Sequence, residues 1–362
     1  MGATGAKEPA EPGVVHHPPA TGAPPWRAAI APFVVSRLVS AALITAAARA
    51  RSAPVPFGGF AKWDGGWYTL IATRGYFHGF LNGAESPWPF FPLLPALIRA
   101  LHWIGPSPAL AGVLIDHVAF FVGLAGLYRI TSRHFPARTA TLAVWAIALF
   151  PASFVFSMVY PSAILFAASV WAFDLAESRH DLMAGLVVAA AVMVRPNGLL
   201  CAVALAVAVR WSVRRILLVA GPSALAFAGW CWFNHHRTGD WLHFLHAKRG
   251  WTEIDLVRFV LSDRKIAIPH VLLALAAAAA VVVVWRRLPR AWVLLSALYL
   301  ALPLATGMVG LGRYAGELFP PFAAAGEILR RWPRWALVGF FVACVAAQAV
   351  CVYWVVYLDY IP

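Results

Sequence analysis

Eight long, mainly apolar runs dominate the chain, at 28–48, 108–128, 139–157, 160–177, 216–235, 266–285, 291–309 and 335–356. A helix rises about 1.5 Å per residue, so a run of about twenty residues matches the ~30 Å hydrocarbon core of a bilayer. The runs are rich in Ala, Leu and Val and do not alternate, which points to helices rather than the strands of a membrane barrel. Composition agrees. Of 362 residues, 61% are hydrophobic and only 12% charged, against about 25% charged in soluble domains. A soluble globular protein and a disordered chain are both excluded.

Two further runs are unusual. The stretch 182–209 is too long for one span and is broken at Arg195-Pro196-Asn197-Gly198. Proline interrupts a helix and glycine permits the turn, so two half-helices are expected, 182–194 and 197–209, dipping in and coming back. The stretch 88–104 follows Pro87, has prolines at 89, 92 and 95, and is expected to lie at the interface without crossing. A short span is expected at 314–329. The predicted fold is an all-α polytopic membrane protein of about 10–11 transmembrane helices, two of them short half-helices.

Net charge is +14. The basic residues fall in bands between the runs, which reads as topology rather than nucleic-acid binding. With the amino terminus cytoplasmic, thirteen arginines between Arg129 and Arg334 fall on the inner side, as the positive-inside rule requires. The chain then divides into a disordered cytoplasmic tail, 1–26, and one transmembrane domain, 27–362, with outer loops 49–107 and 236–265. The second loop is an exception to the rule, with six basic residues and four acids. Cys201, Cys231, Cys344 and Cys351 lie in apolar runs and read as small buried hydrophobes.

The first outer loop carries the strongest local signal, Lys62-Trp63-Asp64-Gly65-Gly66-Trp67-Tyr68 and on to Tyr76. Trp63, Trp67, Leu70 and Ile71 recur at helical spacing, so a short amphipathic helix is expected at the lipid boundary. Asp64 opens it, either as a helix cap or as a working carboxylate. Four ionisable residues were expected inside spans: Arg37, Asp116, Asp174 and Arg195. Each costs on the order of 3 kcal/mol at mid-membrane. Arg37 and Asp116 read as structural, and Asp174 as reaching water at the inner end. Arg195 at the helix break faces either a polar cavity or a partner such as Asp116. Arg313, with Tyr314, can hold a phosphate with two donors at once. His235, His236, His243 and His246 lie on the second outer loop, where contacts to phosphate or sugar hydroxyls suit them better than a metal. There is no Walker loop, no dinucleotide-binding glycine motif and no HExxH.

These blocks resemble, in order, the GT-C superfamily of membrane glycosyltransferases, and within it the bacterial branch of the GPI mannosyltransferase II-like (PIG-V-like) family. They are Trp63-Asp64-Gly-Gly-Trp67-Tyr68…Gly75-Tyr76, Phe90-Phe91-Pro92-Leu93-Leu94-Pro95, Tyr160, Arg195-Pro196-Asn197-Gly198 and Arg313-Tyr314…Phe319-Pro320. The resemblance implies transfer of mannose from a polyprenyl-phosphate sugar to a glycolipid or cell-envelope glycan, with inversion, on the outer face of a bacterial plasma membrane. It makes Asp64 the catalytic residue. Arg313, Arg195, His235 and His236 are assigned to the donor phosphate, and Trp63, Trp67, Tyr68, Tyr76, Tyr160 and Tyr314 to the substrates. No cofactor is required, although Asp64 could also hold a divalent ion. The chain departs from the family at Tyr160-Pro161-Ser162-Ala163, where such proteins often carry Tyr-Thr-Glu-Ser. A transporter or flippase, and a non-catalytic subunit, are the alternatives.

Overall fold

The chain enters its first helix, α1 (Pro25–Ala50), through the sequence Pro24-Pro25-Trp26. The computed structural model describes residues 24–50, 61, 63–78, 85–209, 212–250, 264–306 and 311–357. The expected tail, nearly all of it, and parts of both outer loops lie outside these described residues.

The secondary structure is helical throughout the described residues, apart from one isolated bridge at Glu85. Five helices are long and apolar enough to cross a bilayer: α1, α4 (Pro108–His134), α9 (Val213–Thr238), α11 (Arg264–Val284) and α15 (Arg334–Tyr357). The other expected spans are shorter. The run 139–157 becomes α5 (Ala137–Ala148) followed by a 3₁₀ turn at Ser153–Ser157. Pro151 lacks the N–H that would continue the helix, and α6 (Ser162–Glu177) restarts just after Pro161. Beyond α12 (Arg290–Thr306), the run 314–329 likewise divides into α13 (Leu311–Gly316) and α14 (Phe319–Leu329), ahead of Pro320-Pro321.

The broken run is a helical hairpin, α7 (Asp181–Val194) and α8 (Gly198–Ala208). Arg195 ends α7 in an extended conformation, and the chain turns back so tightly that a Cβ on Gly198 would sit 2.5 Å from the Ala191 and Val192 backbone. At the base, Asp181 pairs with Arg215 of α9 at 2.7 Å. The proline-rich stretch forms only the ten-residue α3 (Leu93–His102), not a span. Leu94 and Ile98 are buried beneath it, while Trp103 and Ile104 stand out at its end, 82% and 78% exposed.

Helices in lipid associate through close packing of small residues. Here Gly112, Gly123 and Gly126 of α4 receive Val159, Phe166 and the Val170–Trp171 pair. Ionic contacts gather at one end of the bundle. Glu327 accepts from Arg287, Arg330 and Thr139, Arg138 reaches the Trp332 carbonyl, and Arg129 and Arg133 both pair with Asp174. Asp174 therefore does not itself reach water: it is 1% exposed and meets solvent only through its two arginine partners. Cys201 and Cys351 are buried, and all four cysteines are free thiols.

Candidate active site

Opposite the arginine-rich end, four elements bring polar side chains together. The first is α2 (Asp64–Arg74), the expected amphipathic helix. An acid in the first turn suits the positive end of the helix dipole. Its N-cap position is Trp63, and no side chain caps the helix, so capping is not the role of Asp64. Trp63 adopts φ 52°, a conformation costing a non-glycine residue about 1–3 kcal/mol, and it immediately precedes the carboxylate. The far end of α2 closes at Gly75, φ 76°, whose N–H reaches the Ile71 carbonyl. Arg99 of α3 adds donors to the Ala72 and Thr73 carbonyls, where a cation complements the dipole. Trp67, Tyr68, Ile71 and Ala72 form an apolar cluster with Phe90, Leu94, Ile98, Ala111, Val113 and Val159, which presses α2 against the start of α4.

The second element is the segment leading to Tyr160. Asp116, buried in α4, accepts the Tyr160 N–H at 2.9 Å. Arg37 of α1 donates to Ser157 Oγ at 2.8 Å and to the Ser153 carbonyl at 3.1 Å, and covers the Phe120 ring at 4.5 Å. Gln348 of α15 bonds Ser153 Oγ at 2.7 Å. Arg37 and Asp116 thus hold a loop in place, as expected of structural residues. The loop in turn presents the Tyr160 ring, which is buried and stands under the Arg313 guanidinium.

The third and fourth elements are α13 and the tip of the α7–α8 hairpin. Arg313 Nη1 lies 3.7 Å from Asp64 Oδ2; the arginine side chain is 9% exposed and the aspartate 28%. The Arg313 guanidinium stands 4.9 Å over Tyr160 and 5.6 Å from the Tyr314 ring. Arg195 lies 5.0 Å from the same Tyr314 ring. Two cations therefore flank one aromatic face, a contact worth about 0.5–2 kcal/mol each. Tyr68 is in electrostatic reach of Asp64, Arg195, Arg313 and a further acid, Glu317.

Glu317 is the residue that sequence reasoning missed. It is buried in the short link between α13 and α14. Ser162 Oγ donates to Oε1 at 2.5 Å, Arg195 Nη1 to the same oxygen at 2.8 Å, and the Tyr299 hydroxyl to Oε2 at 2.9 Å. The partner of Arg195 is therefore Glu317 and not Asp116, and Asp64 is not the lone carboxylate of this region. The insertion cost that singled out Arg195 applies equally to Glu317 and was the available signal. The glutamate also meets Ser162, at the start of α6.

The remaining predicted residues make other contacts. Tyr76 bonds the Phe90 carbonyl at 2.6 Å and packs with Trp88, Trp230 and Phe233, so it braces the outer loops. Trp67 is stacked on Phe90 at 5.7 Å, and Trp63 packs beside Tyr160 and Trp354. His235 and His236, assigned to the donor phosphate, are exposed at the end of α9. They stack on Trp241 at 4.5 Å and on Trp232 at 5.4 Å, and nothing in the described residues links them to Arg195 or Arg313. In the one-turn α10 (His243–His246), His246 bonds Asp240 at 2.6 Å and His243 packs edge-on to Trp88. The His246 bond lowers the Asp240 pKa, and burial lowers that of His243.

A divalent ion does not fit this donor set. Among the described residues no three His, Cys, Asp or Glu side chains come together to hold one. The neighbour of Asp64 is a guanidinium, and Glu317 is already occupied by three donors. The arrangement suits an anion instead: two arginines backed by tyrosines, with one partly exposed carboxylate at the edge.

No family model matches the chain, and no curated protein matches it. Among solved structures it is similar to the oligosaccharyltransferase of Archaeoglobus fulgidus, in complex with zinc and sulfate, at 13% identity and a TM-score of 0.44, covering 90% of this chain and 52% of that one. The apo form of the same protein gives 13% identity and a TM-score of 0.47, covering 91% and 55%. The chain spans about half the length of that oligosaccharyltransferase.

Proposed function

We propose that the chain is a GT-C-type glycosyltransferase that moves mannose from polyprenyl-phosphate mannose to an acceptor hydroxyl at the outer face of the membrane. The observation that carries this reading is the Asp64–Arg313 pair at 3.7 Å, with its carboxylate partly open and its cation enclosed. Arg195 lies against the same Tyr314 ring as that cation. A base and an anion grip side by side are what transfer from a lipid phosphate needs.

The chemistry follows from the leaving group. A lipid phosphate departs without prior protonation, so one carboxylate suffices where a glycoside hydrolase normally uses two. Asp64 takes the proton of the acceptor hydroxyl. The acceptor oxygen bonds to the anomeric carbon as the carbon–oxygen bond to phosphate breaks on the opposite face. A β-linked donor then gives an α-mannoside. Arg313 and Arg195 offset the charge that builds on the departing phosphate. A donor dissolved in the bilayer also accounts for the lack of a nucleotide-binding motif.

The test is reconstitution in liposomes with polyprenyl-phosphate mannose and octyl α-mannoside as a simple acceptor. Transfer is expected from the native chain. Asp64→Asn removes the base and is expected to lower the rate by about 10²–10⁴. An Asp64→Asn protein that transfers at the native rate would eliminate the proposed base.

A further inference from the structure

The site holds two cations and two carboxylates, and the pairs differ in kind. Asp64 and Arg313 are loosely apposed at 3.7 Å, with the acid 28% exposed. Glu317 and Arg195 are joined at 2.8 Å, with the acid side chain fully enclosed. Both Glu317 oxygens are occupied, one by Ser162 and Arg195 and the other by Tyr299. The enclosed side chain offers neither oxygen to a substrate, so this glutamate does not duplicate Asp64. Its contacts have two consequences. It fixes the end of the Arg195 guanidinium, which projects from the α7–α8 turn, by a bond of 2.8 Å. It also places a negative charge behind that guanidinium, on the path between Arg195 and the rest of the protein.

An anion gripped by Arg313 and an uncompensated Arg195 in a low-dielectric site would be slow to leave. We propose that Glu317 is a positioning residue that fixes Arg195 and discounts its charge, so that the lipid phosphate is held during transfer and released afterwards. The proposal rests on the transferase reading for its purpose. Its physical content, the effect of Glu317 on phosphate affinity acting through Arg195, stands apart from that reading.

The experiment uses the full chain in phosphatidylcholine nanodiscs, whose neutral headgroups do not compete for the arginines. Polyprenyl phosphate is the probe, and its binding is read from tryptophan fluorescence. Glu317→Gln keeps the size and an acceptor oxygen but removes the charge. It is expected to bind polyprenyl phosphate about three- to tenfold more tightly, the size of effect for one charge at a partly screened site. In transfer assays its kcat and its donor KM are both expected to fall, because release becomes slow; a merely loosened fold would not lower KM. In an Arg195→Ala background the same substitution is expected to produce no tightening.

Unchanged or weaker binding by Glu317→Gln, in protein with a native melting profile, overturns the proposal. So does equal tightening without Arg195. Tighter binding by Glu317→Gln, with a native chain that transfers no sugar, overturns the transferase reading and leaves the charge role standing. A native chain that transfers sugar, with no tightening in Glu317→Gln, does the reverse. A native chain that binds no polyprenyl phosphate overturns both.

Discussion

Replacing Gly198 by alanine tests whether the hairpin tip sets the position of Arg195. The added Cβ would lie 2.5 Å from the Ala191 carbonyl carbon and the Val192 nitrogen, and ordinary contact begins at 3.4 Å. The two arms must therefore separate by about 0.9 Å, because both obstructing atoms are backbone and no side chain can rotate away. Arg195 lies within that turn and bonds Glu317 at 2.8 Å. A shift of this size moves the pair beyond hydrogen-bond range. Overpacking costs about 1–3 kcal/mol, and losing a charge-assisted bond adds about 1.5–3 kcal/mol. The expected outcome is a lower melting midpoint in detergent and at least a roughly tenfold slower mannose transfer. Gly229→Ala is the control. Nothing lies within 4 Å of its Cβ, so it should be neutral or stabilise α9 by up to about 1 kcal/mol. A Gly198→Ala protein that matches the native chain in both stability and rate refutes the reasoning, as does a Gly229→Ala protein that is equally impaired.

Arg195→Ala leaves Glu317 enclosed without its cation and is expected to cost about 3–5 kcal/mol. Adding Glu317→Gln in that background should recover most of the loss in thermal melts, and no recovery would mean the pair does not hold the tip. Loss of the Asp64 carboxylate should abolish transfer while leaving the melting profile close to native, since no helix cap is lost with it, and radiolabelled product formation measures this. The Asp240–His243–His246 turn should loosen in acid. Both Asp240 and His243 have folded pKa values below their ordinary ones, so each contributes stability that is complete above its unfolded pKa and lost as pH falls through the folded value. For His243 the loss begins below about pH 6.5, with Asp240 following at lower pH, and increasing hydrogen exchange of 240–247 is the readout. Exchange that slows on acidification contradicts this.

Much of the architecture was legible because a bilayer leaves so few options. Length and hydropathy located α1, α4, α9, α11 and α15, and Arg195-Pro196-Asn197-Gly198 marked the hairpin turn to within a residue. The misplaced ends have local causes. Pro151 and Pro161 stand inside a region that hydropathy alone reads as two full spans, and Leu318 with Pro320-Pro321 does the same to the run at 314. At the site, Asp64, Arg313, Arg195, Tyr160 and Tyr314 were identified from residue chemistry and resemblance, and the fold brings them together. The chemistry of histidine was equally suggestive, yet His235 and His236 lie on tryptophans away from the cluster. Sequence order carries no information about which outer-loop face turns inward. Glu317 was overlooked because it sits in a run counted as a span, and its meaning depends on Ser162, Arg195 and Tyr299, from three other segments.

Glu327 joins three elements through one carboxylate: Thr139 of α5, Arg287 before α12, and Arg330 after α14. Such a knot works like the riveted end of a fan. The helices it gathers are tied at the end that also carries Arg129, Arg133 and Asp174, opposite the end that holds Asp64. Cutting the rivet would free these three elements from one another while leaving every group around Asp64 in place.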